Sequence, residues 1–325
     1  MSFGNISDPR TVTDFQNFTF SGHSRKLAIK SLLESIQLGH ADYACYWSLE
    51  LLCSGLVNSL WITLFEGASL SVHRACPNLF TYLITQYETF RRIQDQFDVA
   101  TMTNIRNRDD ARRLVCDAAS TVALCRKQKP LNLPTIKPAH DFDPTTIREN
   151  LRATSQHLSA AILKQEDPYE LQIPVNELCF SLQNRDTIRS LYWTAWIFAF
   201  ARERKKQSKE ALTIAPRQGT LIPQKYSRNL VWLIWDIIHQ YSGQSGFVAG
   251  YIDCLEKMYC FQWEPSVSRA RQTFLVSAIV FLTESQALDI REPAKRSEVE
   301  ISTVLSGIPR WLESIQETRN SFSSR

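Results

Sequence analysis

The sequence predicts an all-α fold, and three observations carry that prediction. Apolar residues recur at three- and four-residue spacing through most of the 325 residues. Glycine is scarce, 10 in all, which leaves few positions for tight strand-joining turns. No segment is strand-rich, and none alternates strand and helix patterns in the βαβ manner.

Residues 1–24 are polar and predict a loosely docked N-terminal tail. From Arg25 to Gly55 two stripes follow, Leu27, Ile29, Leu32, Leu33 and Ile36, then Tyr43, Trp47 and Leu51. Gly39 separates two antiparallel helices and Gly55 ends the second. A third helix is predicted over 59–74, and a fourth over 77–97 with Pro77 in its first turn. A fifth covers 109–125. Asp109 and Asp110 stand at its start, and Arg126, Lys127 and Lys129 follow its end, an order that suits the helix dipole. Residues 130–146, PLNLPTIKPAHDFDPTT, read as a linker. A helix is expected from 145 to 164, two over 175–206, a polar loop over 207–224, and helices over 226–241, 247–261 and 266–287. One amphipathic helix carrying Trp311 and Ile315 closes the chain, with a frayed polar end. The domains expected are the tail 1–24, a helical domain 25–130, a proline-rich linker and helix 131–174, a second helical domain 175–290, and a C-terminal helix and polar tail 291–325.

The two helical domains share a pattern. SIQLGHADYACYW (35–47) and SLQNRDTIRSLYW (181–193) align Ser35, Gln37, Tyr46 and Trp47 with Ser181, Gln183, Tyr192 and Trp193 at one offset. NSLWITLF (58–65) then resembles RNLVWLIW (228–235), and DARRLVCDAASTVAL (110–124) resembles RARQTFLVSAIVFL (269–282), in the same order but with shifted offsets. A tandem duplication into two related helical bundles is expected. Two copies fall short of a solenoid.

The first copy resembles the C-terminal helical domain of the replication-associated recombination ATPases, the MgsA, RarA and Werner-helicase-interacting-protein family. Ser35, Asp42, Ala44, Tyr46, Trp47 and Gly55 stand at that domain's places without a gap. In ASLSVHRACP (68–77), Ala68, Ser69, Ala75 and Pro77 fit its next motif with one residue deleted upstream, while Leu70, Ser71 and His73 depart from it. The resemblance covers about residues 25–130 and implies a clamp-loader-collar-like bundle that mediates oligomer assembly. It is also similar to stand-alone proteins of large DNA viruses. The family's ATPase module should precede this domain. Here 24 residues do, and no GxxxxGK[ST] loop occurs, so no ATPase activity is expected.

The rest of the chain narrows the chemistry. Net charge is +4, and 44% of residues are hydrophobic and 22% charged, as in ordinary soluble domains. No apolar run is long enough to span a bilayer, and the N-terminus lacks a signal-peptide pattern. The eight cysteines form no CxxC and read as reduced core residues of an intracellular protein, cytoplasmic or nuclear and not secreted. The six histidines show no metal-ligand spacing, no nucleophile elbow is present, and Asp109-Asp110 reads as a helix start. No catalytic, cofactor or metal residue is therefore assigned. Ser35, Asp42, Tyr46, Trp47, Gly55, Ser69, Pro77, Tyr192 and Trp193 are read as structural anchors. Two basic clusters are candidate nucleic-acid contacts: Arg106, Arg108, Arg112 and Arg113, and Arg202, Arg204, Lys205, Lys206 and Lys209.

The function expected is a non-enzymatic assembly or protein-interaction module in DNA replication or recombination, with protein partners or self-association. Nucleic-acid binding through the basic clusters is the second reading. A virion-associated scaffold of a large DNA virus is the third. No membrane, cofactor or small-molecule substrate is indicated.

Overall fold

A computed structural model describes residues 4–219, 221–243 and 246–323. The fold is all-α. Its helices are α1 (Arg25–Leu38), α2 (Ala41–Cys53), α3 (Val57–Ser71), α4 (Asn78–Gln94), α5 (Asp109–Leu124), α6 (Pro138–Asp141), α7 (Pro144–Asn150), α8 (Gln172–Gln183), α9 (Thr187–Ser208), α10 (Val231–Ser242), α11 (Val248–Cys260), α12 (Gln272–Thr283), α13 (Glu298–Ser306) and α14 (Ile308–Ser323). Among the described residues β pairing is limited to two isolated bridges, Phe18 with Ser24 and Thr213 with Asn229. The chain divides into two compact units, one of residues 1–130 with 289–325, the other of 131–288.

In the first unit α1 packs on α2, α3 and α5, and α4 closes on α3 and α5. Trp61, Phe65, Tyr87 and Phe90 form its aromatic centre. Gly55 carries φ +68°, and a β-carbon there would lie 2.8 Å from Val12 Cγ2. Glycine thus serves both the left-handed turn and the close approach of the N-terminal segment. That segment is not the loose tail expected. Ile6, Phe15 and Phe20 are buried, and the Asp8 side chain is shielded from solvent between Arg10 (2.7 Å), Arg319 (3.2 Å) and Arg106 (3.9 Å). Its polar composition hid three apolar anchors and a buried ion cluster. The C-terminal residues are likewise two helices, α13 and α14 around Gly307, and the frayed end expected is helical to Ser323. Ile301, Ile308, Trp311, Leu312 and Ile315 are buried there. One face of apolar residues at helical spacing outweighs the polar tail's weak propensity.

In the second unit α8 packs on α9, α10 and α12, and α11 closes on α10 and α12. Trp193, Trp232, Trp235 and Tyr259 are fully buried. The helix expected over 145–164 stops at Asn150. Beyond it the backbone N–H groups of Arg152 and Ala153 donate to the buried carboxylate of Glu177, and those of Leu158 and Ser159 to Asn176 Oδ1. A buried carboxylate needs donors, and this segment supplies them instead of continuing its helix.

The two units repeat one local design. After α1, Gly39 has φ +78°, its N–H donates to Ile36 O, and the His40 N–H donates to Ser35 O at 2.9 Å. After α8, Arg185 has φ +56°, its N–H donates to Leu182 O, and the Asp186 N–H donates to Ser181 O at 2.9 Å. The Ser35 hydroxyl donates to Ser31 O at 2.6 Å and the Ser181 hydroxyl to Glu177 O at 2.7 Å. These are the same turn at the same offset in the sequence. The later shift has a cause: α9 runs 22 residues where α2 runs 13, and a longer loop follows it.

Candidate functional site: a groove beside the first Tyr-Trp

Helix α2 buries Ala44, Cys45, Ser48 and Leu49 and turns Asp42, Tyr43, Tyr46 and Trp47 the other way. Positions i, i+1, i+4 and i+5 share one side of a helix, so the DYACYW run builds a continuous wall. Arg310, Trp311 and Ser314 of α14 form the opposite wall, and the groove between them encloses about 490 Å³. A second hollow of about 440 Å³ continues past Asp42 and Tyr43 to Val299, Glu300, Thr303 and Val304 of α13. Tyr43, 63% exposed, is the ridge between the two, and Val299 on the far wall is 78% exposed.

The groove's floor is tied down. Tyr46 meets Trp47 edge to face at 5.2 Å, and His23 meets Trp47 at 5.1 Å. Burial and the nearby Glu50 carboxylate push the Tyr46 hydroxyl above its usual titration range. Glu50 is itself fully buried and accepts the Ser21 N–H at 2.9 Å. The Arg310 guanidinium lies 5.9 Å from the Trp311 ring centre. Aromatic faces, one carboxylate and one guanidinium are equipment for binding. Tyr, Trp and Arg are also the side chains that dominate protein–protein hot spots.

The second Tyr-Trp sits differently. Trp193 is 0% exposed, and Tyr192 donates to Asp141 Oδ1 at 3.2 Å. Trp196 Nε1 donates to Asp141 O at 2.9 Å, and Phe142 packs edge to face on Trp196 at 4.9 Å. Helix α6 and Phe142 therefore cover this face from within their own unit. Residues 130–146, expected to be a linker, supply that cover.

Comparison with protein-family models, curated proteins and solved structures found no match. The site is read from its own geometry.

The remaining sequence-derived residues separate by burial. Ser69 is buried within α3, and Pro77 precedes α4. Asp42 is exposed and lines the groove wall. Arg106 and Arg112, named above as candidate phosphate contacts, lie inside the first unit at 2% and 0% exposure. Arg106 Nε donates to Thr103 O, and Arg112 donates to Arg106 O, Gly4 O and Asp109 Oδ1. These guanidiniums staple backbone carbonyls, because a buried charge must be saturated by acceptors. Arg108 pairs with Asp110 at 2.6 Å, Arg204 with Glu170 at 2.5 Å and Lys206 with Glu203 at 2.5 Å. Arg113, Arg202, Lys205 and Lys209 are exposed. Sequence reasoning placed Tyr43 on an apolar stripe and Trp311 on the C-terminal amphipathic helix, but did not mark either as a groove residue, and it did not name Arg310; Tyr43 is in fact exposed. Tyr43 falls inside the quoted motif, but nothing local marks it as exposed.

No described helix is long and apolar enough to cross a membrane.

Proposed function

We propose that this chain is a non-enzymatic assembly module that docks an amphipathic segment of a protein partner, in DNA replication or recombination. The observation that carries the reading is the open groove on α2. The same Tyr-Trp device is covered internally by α6 in the second unit, whereas in the first it lines a cavity with Trp311 and exposes Tyr43. Support for the replication setting is the match of Ser35, Asp42, Ala44, Tyr46, Trp47 and Gly55 to the helical domain of the recombination ATPases. Exposed aromatic surface rimmed by Asp42, Glu300 and Arg310 fits a partner helix with one apolar face and mixed charge at its edges.

The test is binding of purified clamp-loader and recombination-ATPase proteins, followed by light scattering, with wild type and the Tyr43→Ala/Trp311→Ala variant. Complex formation that the variant weakens at least tenfold supports the reading. A wild-type chain that binds none of them, or a variant that binds all equally, removes it.

A further inference from the structure

The strongest unassigned feature is a cavity of about 210 Å³ in the second unit. Arg202 and Phe198 of α9 line one side. Arg269, just before α12, and Gln272 at its first turn line another, and extended residues 133–136 complete it. No carboxylate lines it. Neither the Arg202 nor the Arg269 guanidinium makes an ion pair or hydrogen bond among the described residues, although Glu203 is next to Arg202 in sequence. By contrast Arg271, two residues past Arg269, is buried and donates to Tyr259 O and Phe261 O. The backbone amides of Leu133, Thr135 and Ile136 also have no hydrogen-bond partner among the described residues.

Phe198, Arg202 and Lys205 recur at four and three residues along α9, and Lys209 caps the helix one turn on. They form one stripe, an aromatic ring followed by three cations. At 1.5 Å rise per residue, Arg202 and Lys209 stand about 10 Å apart along the axis, a span that successive phosphates of one strand can bridge. Lys205 and Lys209 are exposed and make no ion pair among the described residues, whereas Arg204, on the other side of the helix, pairs with Glu170, and Lys206, beside the stripe, pairs with Glu203.

We propose that this cavity is a binding site for single-stranded nucleic acid. One backbone phosphate sits between Arg202 and Arg269, the next phosphates lie on Lys205 and Lys209, and a base stacks on Phe198. Phosphate contacts of this kind position a strand without reading its sequence, and an aromatic face accepts any base. Sequence reading pointed to the 202–209 cluster. The cavity separates its working residues from its paired ones and adds Arg269, which sequence reading did not mark.

The experiment is fluorescence anisotropy of a labelled oligothymidylate with the full chain across a salt series. Three phosphate contacts give a slope of log affinity against log salt of about −2. Arg202→Gln/Arg269→Gln should weaken binding at least tenfold and flatten the slope by about 0.7. Phe198→Ala should weaken binding severalfold at unchanged slope. Arg204→Gln, on the opposite face, should leave both unchanged. All these positions are exposed or half-buried, and thermal melts check that each variant folds. Absence of binding at low salt overturns the proposal. So does wild-type behaviour of Arg202→Gln/Arg269→Gln. Displacement of the oligonucleotide by equimolar pyrophosphate would make this a small-anion site and overturn it equally.

Discussion

Asp8 shows how one residue organises a segment. Its shielded side chain reaches Arg10, Arg106 and Arg319, and the N-terminal residues are held on Phe15 and Phe20 around it. Burial opposes its ionisation, yet the hydrogen bonds and charge of Arg10, with the charge of Arg319, hold its carboxyl below the usual carboxylate range. A lowered folded-state pKa adds stability that is present above the unfolded pKa and is lost as pH falls through the folded one. Urea titrations between about pH 5 and pH 2 should therefore show stability falling with acid, and Asp8→Asn should flatten that limb. At neutral pH the same substitution should cost on the order of 1 to 3 kcal/mol, because it removes the carboxylate facing the buried Arg106 guanidinium, while Arg10 and Arg319 are partly solvated. The cysteines make a second residue-scale case. Burial pushes the Cys53 and Cys179 thiols up to about 12. Since the thiolate is the reacting form, the native chain should resist alkylation at pH 8, and mass spectrometry should find these sites labelled only after denaturant is added.

At the scale of elements the repeated turn makes the sharpest test. Gly39 and Arg185 hold the same left-handed position after α1 and α8, but only the first is the residue that adopts it without strain. Arg185→Gly should raise stability by about 1 kcal/mol, and Gly39→Ala should lower it by about as much. Both are read as shifts in thermal midpoint. The turn was legible in the sequence because Ser35 and Ser181, with Tyr46 and Tyr192, keep one spacing. The α1–α5 helices were legible from apolar periodicity, within a few residues at each end. Residues 151–164 were not, because their helical pattern loses to acceptors on Glu177 and Asn176 that are distant in sequence. Of the candidate site, Tyr46 and Trp47 were legible as a motif. Arg310 and Trp311 were not, since α14 reaches α2 from the far end of the chain.

For the whole molecule the division into two units is the main consequence. Residues 289–325 belong to the first unit with residues 1–130, so its core is completed only by the last helices. A chain ending at residue 288 loses five buried apolar side chains of α13 and α14 from that unit. Their burial is worth on the order of 10 kcal/mol as an upper bound. Hydrogen exchange on the truncated chain should show α2 and α5 losing protection while α10 and α12 keep theirs. Equal loss in both units would mean the units are not separate in stability.

Sequence alone determined the helical class, the order of the main helices, the glycine turns and the repeated Tyr-Trp device. Each of these depends on periodicity or on backbone geometry within a few residues. Tertiary structure decided which arginines are buried staples and which face solvent, that the polar N-terminus is docked, and that one Tyr-Trp is covered while the other borders a groove. Those outcomes depend on partners far apart in the chain. Charge type and local spacing are identical for a paired and an unpaired arginine, and only the fold brings a carboxylate to one and leaves a cavity beside the other.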